Sequence, residues 1–398
     1  MKPNLIKFEN GFRSDTEAGS NVKVLNPNVL IKQYPQLPET TIHAINDIAR
    51  LPGTADDSYI FMYRDILLKF AIPGINDIDS FQREIIIGLE INKLNNPGFV
   101  RTIGYYEDPN CKIPILDTQL QQQPCIYLYL EKISGPTMKK FIKTASLLQF
   151  KNVMSKLVHN YKVALDLCNY THYDFHLSNL IISTVGEELM PVIIDFEASH
   201  ISFLNGDIGE DFTEVGRYPN ESNWIYDFFK FLGFCWIETN EAYIINNIVE
   251  AYENKKEQAI ENIGEVYRIY YMQRFNKDLD DHVPIEETIF EYIDRAAAEQ
   301  TGENREQHKE NILAWKEHIN KAKADIQTAK DLFQANRDNM QSINDHCIRL
   351  LTYFHADVSD EWLLNYHNHL DRYFSSWRTE EGYASKFDDF ILYCDSFQ

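Results

Sequence analysis

The spacing of apolar and polar residues predicts a β-sheet in the first third of the chain. Strand-like runs bounded by turn residues occur at HAINDIARL, twice within YIFMYRDILLKFAI, and again at FVRTIGYYED and CIYLYLEKI. After the third run, residues 79–95 keep the period of a helix, with Asp79 or Ser80 as its expected cap. The pattern predicts a five-stranded sheet with one inserted helix, preceded by an irregular extension over residues 1–42.

After Gly135-Pro136 the pattern changes to that of helices. Residues 145–170 form a long apolar-periodic segment, and residues 222–300 are again mostly helical and rich in aromatic residues. Between these segments, the apolar runs NLIIS and MPVIIDFE flank TVGEEL, where Gly186 suits the turn of a β-hairpin. The second part of the chain is therefore predicted to be helical, with one hairpin inserted.

Residues 305–350 keep apolar positions at seven-residue spacing and contain no proline. Two rows of such positions, ending at Cys347 and Leu350, indicate a long helix with a coiled-coil-like seam. Two alternatives stay open for this seam. The helix packs on the rest of its own chain, including the closing residues 360–398, or it pairs with a second copy in a homodimer through residues 305–350.

Composition narrows the classes of partner. The chain has 398 residues and a formal net charge of -22, from 60 acidic and 38 basic side chains. An acidic chain of this kind is not expected to bind nucleic acid or an anionic membrane. The six cysteines are widely spaced without a CxxC pair, no signal peptide is evident, and no window approaches ~18 uninterrupted apolar residues. These features predict a soluble cytoplasmic protein with reduced thiols.

Most of the candidate chemistry lies in the stretch HYDFHLSN, residues 172–179. His172 and His176 have the His-x-x-x-His spacing of a zinc-binding helix. The glutamate that follows the first histidine in metalloproteases is absent here, and an apolar strand begins almost at once. Metal binding by this histidine pair is therefore disfavoured, and His172 is expected to be a structural, hydrogen-bonded residue.

Phosphoryl transfer explains the same stretch better. It requires a carboxylate at the acceptor hydroxyl, oxygen ligands for the metal ions, and a cation near the phosphates. Asp174 is followed five residues later by Asn179, and Asp195 comes after the second arm of the predicted hairpin. A carboxylate on a loop, an amide at its end and a second carboxylate one hairpin away are able to converge on one cleft.

In this order and spacing the residues resemble the protein-kinase-like superfamily, whose catalytic loop reads H-R-D-x-x-x-x-N and is followed by a metal-binding D-F-G. The resemblance covers residues 43–290, and the wording GLEINKL, FVRTIGYY and THYDFHLSNL is similar to divergent kinases of large cytoplasmic DNA viruses. It implies an α+β, two-lobed fold with a small five-stranded antiparallel sheet lobe and a larger helical lobe. The implied domains are an N-terminal lobe at 43–133, a C-terminal lobe at 134–300 and a helical extension at 301–398.

The resemblance also assigns roles by position. Asp174 matches the catalytic base, Asn179 and Asp195 match the Mg²⁺ ligands, and Lys69 matches the lysine on the nucleotide phosphates. Glu84 matches the ion-pair partner of that lysine, with Glu90 as a competing candidate. Further positions match a hinge that contacts adenine through its backbone and a buried aspartate that braces the catalytic loop: Glu131, Lys132 and Ile133 for the hinge, and Asp227 for the brace.

The sequence departs from the family pattern at three places. The nucleotide-covering loop reads PGTADDS, with Gly53 as its one glycine and Ser58 as a possible hydrogen-bond donor to phosphate. The metal motif reads D-F-E, which places Glu197 where protein kinases have glycine. Two residues after the catalytic aspartate, His176 stands where serine/threonine kinases have lysine and small-molecule kinases often have histidine. The resemblance makes His176 a further catalytic candidate, which can stabilise the transferring phosphoryl group if it is protonated or donates a hydrogen bond.

Three functions are consistent with these observations. The preferred one is an ATP- and Mg²⁺-dependent serine/threonine protein kinase. The second is a kinase for a small-molecule hydroxyl, resembling the aminoglycoside and choline phosphotransferases, which His176 and the D-F-E motif favour. The third is a pseudokinase that serves as an interaction scaffold, which the unusual PGTADDS loop favours and the retained Lys69, Asp174 and Asp195 oppose.

Overall fold

The computed structural model describes residues 23–38, 49–50, 59–63, 66–73, 76–109, 124–203, 205–210, 222–254, 335–354 and 387–397. The chain divides into two compact units, one of Met1–Trp236 with Ser342–Gln398 and one of Ile237–Gln341. All the residues discussed below as a site belong to the first unit. No helix in the described parts of the chain has the length and apolar character needed to cross a membrane.

The first unit combines small antiparallel sheets with helices, which confirms the α+β expectation. Its largest sheet has five strands in the order β1-β2-β3-β5-β4, and all neighbours are antiparallel. These strands are β1 (Ala49–Arg50), β2 (Tyr59–Tyr63), β3 (Ile66–Ala71), β4 (Thr102–Asp108) and β5 (Cys125–Glu131). Two hairpins complete the sheets: β6 (Leu180–Val185) with β7 (Glu188–Ile193), and β8 (Ile201–Phe203) with β9 (Gly206–Ile208).

Except for α1, which lies in the extension expected to be irregular, the helices of the described residues fall close to the predicted segments. They are α1 (Pro27–Leu30), α2 (Ile78–Asn92), α3 (Met138–Phe141), α4 (Leu147–Cys168), α5 (Trp224–Asn254) and α6 (Phe387–Asp395), together with helical residues 335–352. The predicted cap of α2 is corrected: the cap is Asp77, whose carboxylate accepts hydrogen bonds from the backbone N–H groups of Asp79 and Ser80. Asp77 is the cap because its backbone is extended and it directly precedes the helix, so its side chain can reach the free N–H groups of the first turn.

The alternation of β3 determines where Lys69 points. Leu68, Phe70 and Ile72 pack on one face of the sheet, where the ring of Phe70 contacts that of Tyr127 on β5. Successive strand residues point to opposite faces, so Lys69 leaves the sheet on the other face. The same strand therefore contributes both to the sheet core and to the candidate site.

Helix α4 and the β6–β7 hairpin lie on either side, in sequence, of residues 172–179, which we call the catalytic-loop stretch. Ser146 and Gln149 form a reciprocal capping box at the start of α4, and Asn169 ends the helix in a left-handed conformation at φ 53°. The hairpin turn uses Gly186 at φ 67°, as the sequence predicts. Residues 169–179 are therefore fixed at one end by the C-terminus of α4 and at the other by the start of β6.

The N-terminal segment is better ordered than its sequence suggests. Residues 23–38 were expected to be irregular, but Leu25, Leu30 and Ile31 are buried. The backbone N–H of Leu37 donates to the carbonyl of Tyr105 on β4, and the Tyr105 hydroxyl donates back to the carbonyl of Ile31. These hydrogen-bond partners lie about seventy residues away in sequence. The local pattern of apolar residues therefore could not predict that this segment is ordered.

Residues 342–354 pack within their own chain. Phe354 contacts the rings of Trp224 and Phe229 on α5 and of Phe390 on α6. The buried face of 342–354 agrees with the alternative in which the heptad seam packs on the rest of its own chain. A homodimer through the earlier heptads stays a prediction, because residues 305–334 lie outside the described part of the chain.

Five cysteines among the described residues are buried and form no disulfide: Cys125, Cys168, Cys235, Cys347 and Cys394.

Candidate active site

One buried carboxylate accepts hydrogen bonds from the backbone of the catalytic-loop stretch. Asp227, on α5, accepts hydrogen bonds from the backbone N–H groups of His172 at 2.5 Å and Tyr173 at 2.8 Å, and from the Tyr161 hydroxyl at 2.7 Å. Tyr173 has a left-handed backbone at φ 60°, which is unfavourable for a bulky side chain. The two bonds to Asp227 hold this conformation and so determine where Asp174 stands.

A second set of bonds ties this loop to the strand end that carries Asp195. The Asn179 carbonyl accepts from the N–H of Ile194 at 3.0 Å, and His172 Nε2 donates to the Ile194 carbonyl at 2.9 Å. His172 Nδ1 accepts from the N–H of Asp174 at 3.3 Å. Both ring nitrogens of His172 are thus engaged by the backbone, which agrees with a structural histidine and leaves neither nitrogen for a metal ion.

Asp174 lies among three polar side chains. The Lys230 ammonium is 2.9 Å from Oδ1, while His176 Nε2 and Asn179 Nδ2 approach Oδ2, each at 3.4 Å. Burial acts to raise the pKa of Asp174. The hydrogen bond from His176 and the charge of Lys230 outweigh it and hold this pKa well below its usual range. Asp174 is therefore an ionised carboxylate with a fixed orientation.

The tautomer of His176 follows from its neighbours. Its Nδ1 accepts a hydrogen bond from the backbone N–H of Ser178 at 3.2 Å. In a neutral imidazole one nitrogen accepts and the other carries the proton, so the proton is on Nε2. His176 therefore presents a donor to Asp174 whether or not it is charged.

Lys69 is buried at the centre of a carboxylate cluster. Its Nζ lies 2.8 Å from Glu84, 3.1 Å from Asp195 and 3.4 Å from Glu197. Burial alone would lower the pKa of Lys69, but the attraction of these carboxylates outweighs it and raises the pKa well above its usual value. Glu84 therefore occupies the place expected for the ion-pair partner. The competing Glu90 instead accepts hydrogen bonds from Tyr34 and Lys93.

The carboxylates outnumber the cation at their centre. Burial raises the pKa of Glu84, the attraction of Lys69 opposes that rise, and repulsion from Asp195 and Glu197 adds to it, which leaves this pKa at about 7. One oxygen from each of the three groups lies within 4.8 Å of the others. Hard oxygen donors with excess negative charge are what a divalent cation such as Mg²⁺ prefers, so the donor set fits that ion.

Replacing Lys69 with methionine is expected to lower the free energy of unfolding by about 2 kcal/mol, because Glu84 would stay buried without its cation. Partial exposure of Asp195 and Glu197 limits the loss. Urea denaturation measures this change. The control is Lys156→Met, which removes a lysine paired with the exposed Glu188 and should lower the free energy of unfolding far less than Lys69→Met. Equal losses in the two variants would contradict a stabilising role for the Lys69 cluster.

The remaining predicted residues are placed less centrally. Glu131 ends β5, Lys132 is exposed, and Ile133 is half-buried. Glu131 and Ile133 line a cavity of about 820 Å³ together with residues of β4 and the β6–β7 hairpin, and Lys69, Asp174 and Asp195 do not line it. The structure therefore does not bring the hinge positions into either polar cluster. Gly53 and Ser58 lie outside the described residues.

Two basic residues at the site were not predicted. Lys230 contacts Asp174, and Arg83 donates from Nε to the carbonyl of Glu197 at 2.6 Å. Lys230 left a signal in the sequence, since it interrupts the apolar run FFKFLGFCWI on α5. A lysine within a buried apolar helix needs a partner, and that requirement alone could have drawn attention to it. Arg83 left no such signal, because it precedes Glu84 in an ordinary helical pattern.

Comparison with known proteins shows similarity to a distant relative. No family model matches the chain. A protein of Invertebrate iridescent virus 3 named probable kinase 098L is 26% identical over 202 residues, which cover 46% of this chain and 36% of the relative. This similarity supports a kinase-like family. The chain thus spans about a third of the length of the viral relative it matches.

Proposed function

We propose that this protein is an ATP- and Mg²⁺-dependent phosphotransferase with a two-lobed kinase-like fold, which moves the γ-phosphoryl group of ATP to a hydroxyl. One observation carries the proposal. Lys69 contacts both Glu84 and Asp195, while the loop of Asp174 is bonded to the backbone immediately before Asp195. A cation for phosphates, a metal ligand and a proton acceptor are thereby held in one arrangement, as phosphoryl transfer requires. The similarity to a probable viral kinase points the same way.

The chain's own residues divide the work as follows. Asp174 orients the acceptor hydroxyl and receives its proton, and Lys69 contacts the phosphates once they displace part of its carboxylate shell. Asp195 and the amide oxygen of Asn179 would hold Mg²⁺, since the amide nitrogen of Asn179 already donates to Asp174. Bound Mg²⁺ would neutralise charge on the phosphate oxygens.

The acceptor we favour is a serine or threonine of a protein. A second candidate, a small-molecule alcohol, is favoured by Glu197, whose carboxylate lies beside Lys69 and Asp195 and adds a possible metal ligand where protein kinases have glycine. Incubation with γ-labelled ATP separates the two acceptor classes. Label on protein would indicate the first, and label on aminoglycosides or choline-like alcohols would indicate the second.

Nucleotide binding is the most direct test against a scaffold. Saturating ATP with Mg²⁺ is expected to raise the melting temperature by roughly 5 °C, and EDTA should abolish the rise. In Asp195→Ala the metal-dependent part of this shift should be lost. A control variant, Asp166→Ala on α4, should keep it, because Asp166 pairs with Lys162 on the surface. A folded wild-type protein with no shift would favour the pseudokinase alternative.

A further inference from the structure

The carboxylate of Asp174 is contacted from two different elements. His176 belongs to the same loop and approaches Oδ2, whereas Lys230 belongs to α5, more than fifty residues later, and contacts Oδ1 at 2.9 Å. The Lys230 side chain is only 12% exposed, and that of Asp174 is 33% exposed. The more buried ammonium group therefore fixes Oδ1 at short distance, whereas the contacts of Oδ2 with His176 and Asn179 are longer, each at 3.4 Å.

Lys230 occupies a costly position for a lysine. Its neighbours Phe228, Phe229, Phe231 and Leu232 have no measurable exposure. The ammonium lies 5.7 Å from the ring centre of Tyr226 and 6.0 Å from that of Phe234, which stand four residues before and after it on α5. Two aromatic rings beside the ammonium group attract it and restrict the movement of its side chain. The helix thus presents the ammonium in a defined direction.

The geometry between Lys230 and Asp174 is fixed by a second contact of the same helix. Asp227, three residues before Lys230, accepts the hydrogen bonds of His172 and Tyr173 that set the backbone leading to Asp174. Helix α5 therefore determines both the backbone position and the carboxylate direction of Asp174. A lysine that contributed only to stability would not need to lie one helical turn from Asp227, the residue that holds the loop.

We propose that Lys230 is a positioning residue for phosphoryl transfer, which holds Oδ1 of Asp174 so that Oδ2 faces the acceptor hydroxyl. The inference rests on the proposed function. In that step the acceptor oxygen bonds to the γ-phosphorus as its proton passes to Oδ2 of Asp174. The bond between the γ-phosphorus and the β–γ bridging oxygen breaks, and ADP leaves with that electron pair. Lys230 thereby supplies beside Asp174 the positive charge that His176, two residues after it, supplies only if protonated.

Steady-state kinetics of Lys230→Met test this role. Because misorientation of a reacting group costs about 100-fold, kcat is expected to fall by roughly that factor, while KM for ATP changes less than about twofold. Lys230→Arg keeps a cation at the same place and is expected to recover at least about a tenth of the wild-type kcat. If Lys230→Met does not fold, Lys230→Gln, a neutral residue that can still donate to Oδ1, takes its place, and its kcat should lie below that of Lys230→Arg.

The control is Lys162→Met, which removes a similarly ion-paired lysine from α4 and should leave kcat unchanged. A kcat of Lys230→Met within about threefold of wild type would overturn the inference, as would equal activity of the methionine and arginine variants. Those results, with an active wild type and an inactive Asp174→Asn, would leave the proposed function standing. A folded wild type without any transfer would overturn both.

Discussion

Replacing Asp174 with asparagine is expected to lower kcat for phosphoryl transfer by about 1,000-fold while the fold is retained. Asparagine has nearly the same shape, and its amide oxygen can still accept from Lys230, although its amide nitrogen then faces the donors His176 and Asn179. Its amide cannot receive the proton of the acceptor hydroxyl, however, and it removes the negative charge that orients that hydroxyl. Steady-state transfer assays measure kcat, and circular dichroism with thermal unfolding verifies the fold.

The matched control for this variant is Asp166→Asn, which makes the same chemical change on α4, where Asp166 pairs with Lys162. Its kcat should equal that of the wild type. If Asp174→Asn kept more than about a tenth of the wild-type kcat, Asp174 would not be the proton acceptor. A parallel loss of folding in Asp174→Asn, seen by thermal unfolding, would point instead to a structural role for this carboxylate.

Replacing Asp227 with alanine is expected to have the largest effect on stability, lowering the free energy of unfolding by about 3–5 kcal/mol. Asp227 is completely buried, and its oxygens accept from two backbone N–H groups and from Tyr161. Alanine would leave these donors buried without an acceptor. Because the loop that carries Asp174 loses its support as well, transfer activity should fall in the fraction that still folds.

Urea denaturation of Asp227→Ala measures the loss. The control is Asp388→Ala, since Asp388 lies on α6 and is 57% exposed beside Lys162, where an ion pair contributes little. Asp388→Ala should therefore cost less than about 1 kcal/mol. A comparably small loss in Asp227→Ala would mean that water satisfies the donors and that α5 does not support the catalytic loop.

Local patterns in the sequence account for much of the described fold. The hairpin of β6 and β7, the long α4 and the helix after β3 each follow from a periodicity and a boundary signal within about twenty-five residues of sequence. The relation between Asp174, Asn179 and Asp195 follows from the same hairpin, because its two arms return the chain to where it began. These elements were predictable because neighbouring residues determine them.

The features that escaped prediction depend on distant parts of the chain. The N-terminal segment is ordered by Tyr105 and by the backbone of Asp207, neither of which its own sequence can reveal. Lys230 contacts Asp174 because α5, through Asp227, also binds the backbone of the loop that carries Asp174, and the local sequence does not identify this distant partner. The hinge positions 131–133 were inferred from resemblance alone and stay a prediction.

Transfer of the γ-phosphate of ATP by Lys69, Asp174 and Asp195 is tested most directly by one labelling experiment. Wild-type protein is incubated with γ-labelled ATP, with Mg²⁺ or with EDTA, in the presence of protein and small-alcohol acceptors, beside Asp174→Asn. We expect labelled acceptor with Mg²⁺, none with EDTA, and almost none in the variant. Absence of label on every acceptor from a folded wild type, or equal labelling by Asp174→Asn, would rule out phosphoryl transfer through Asp174.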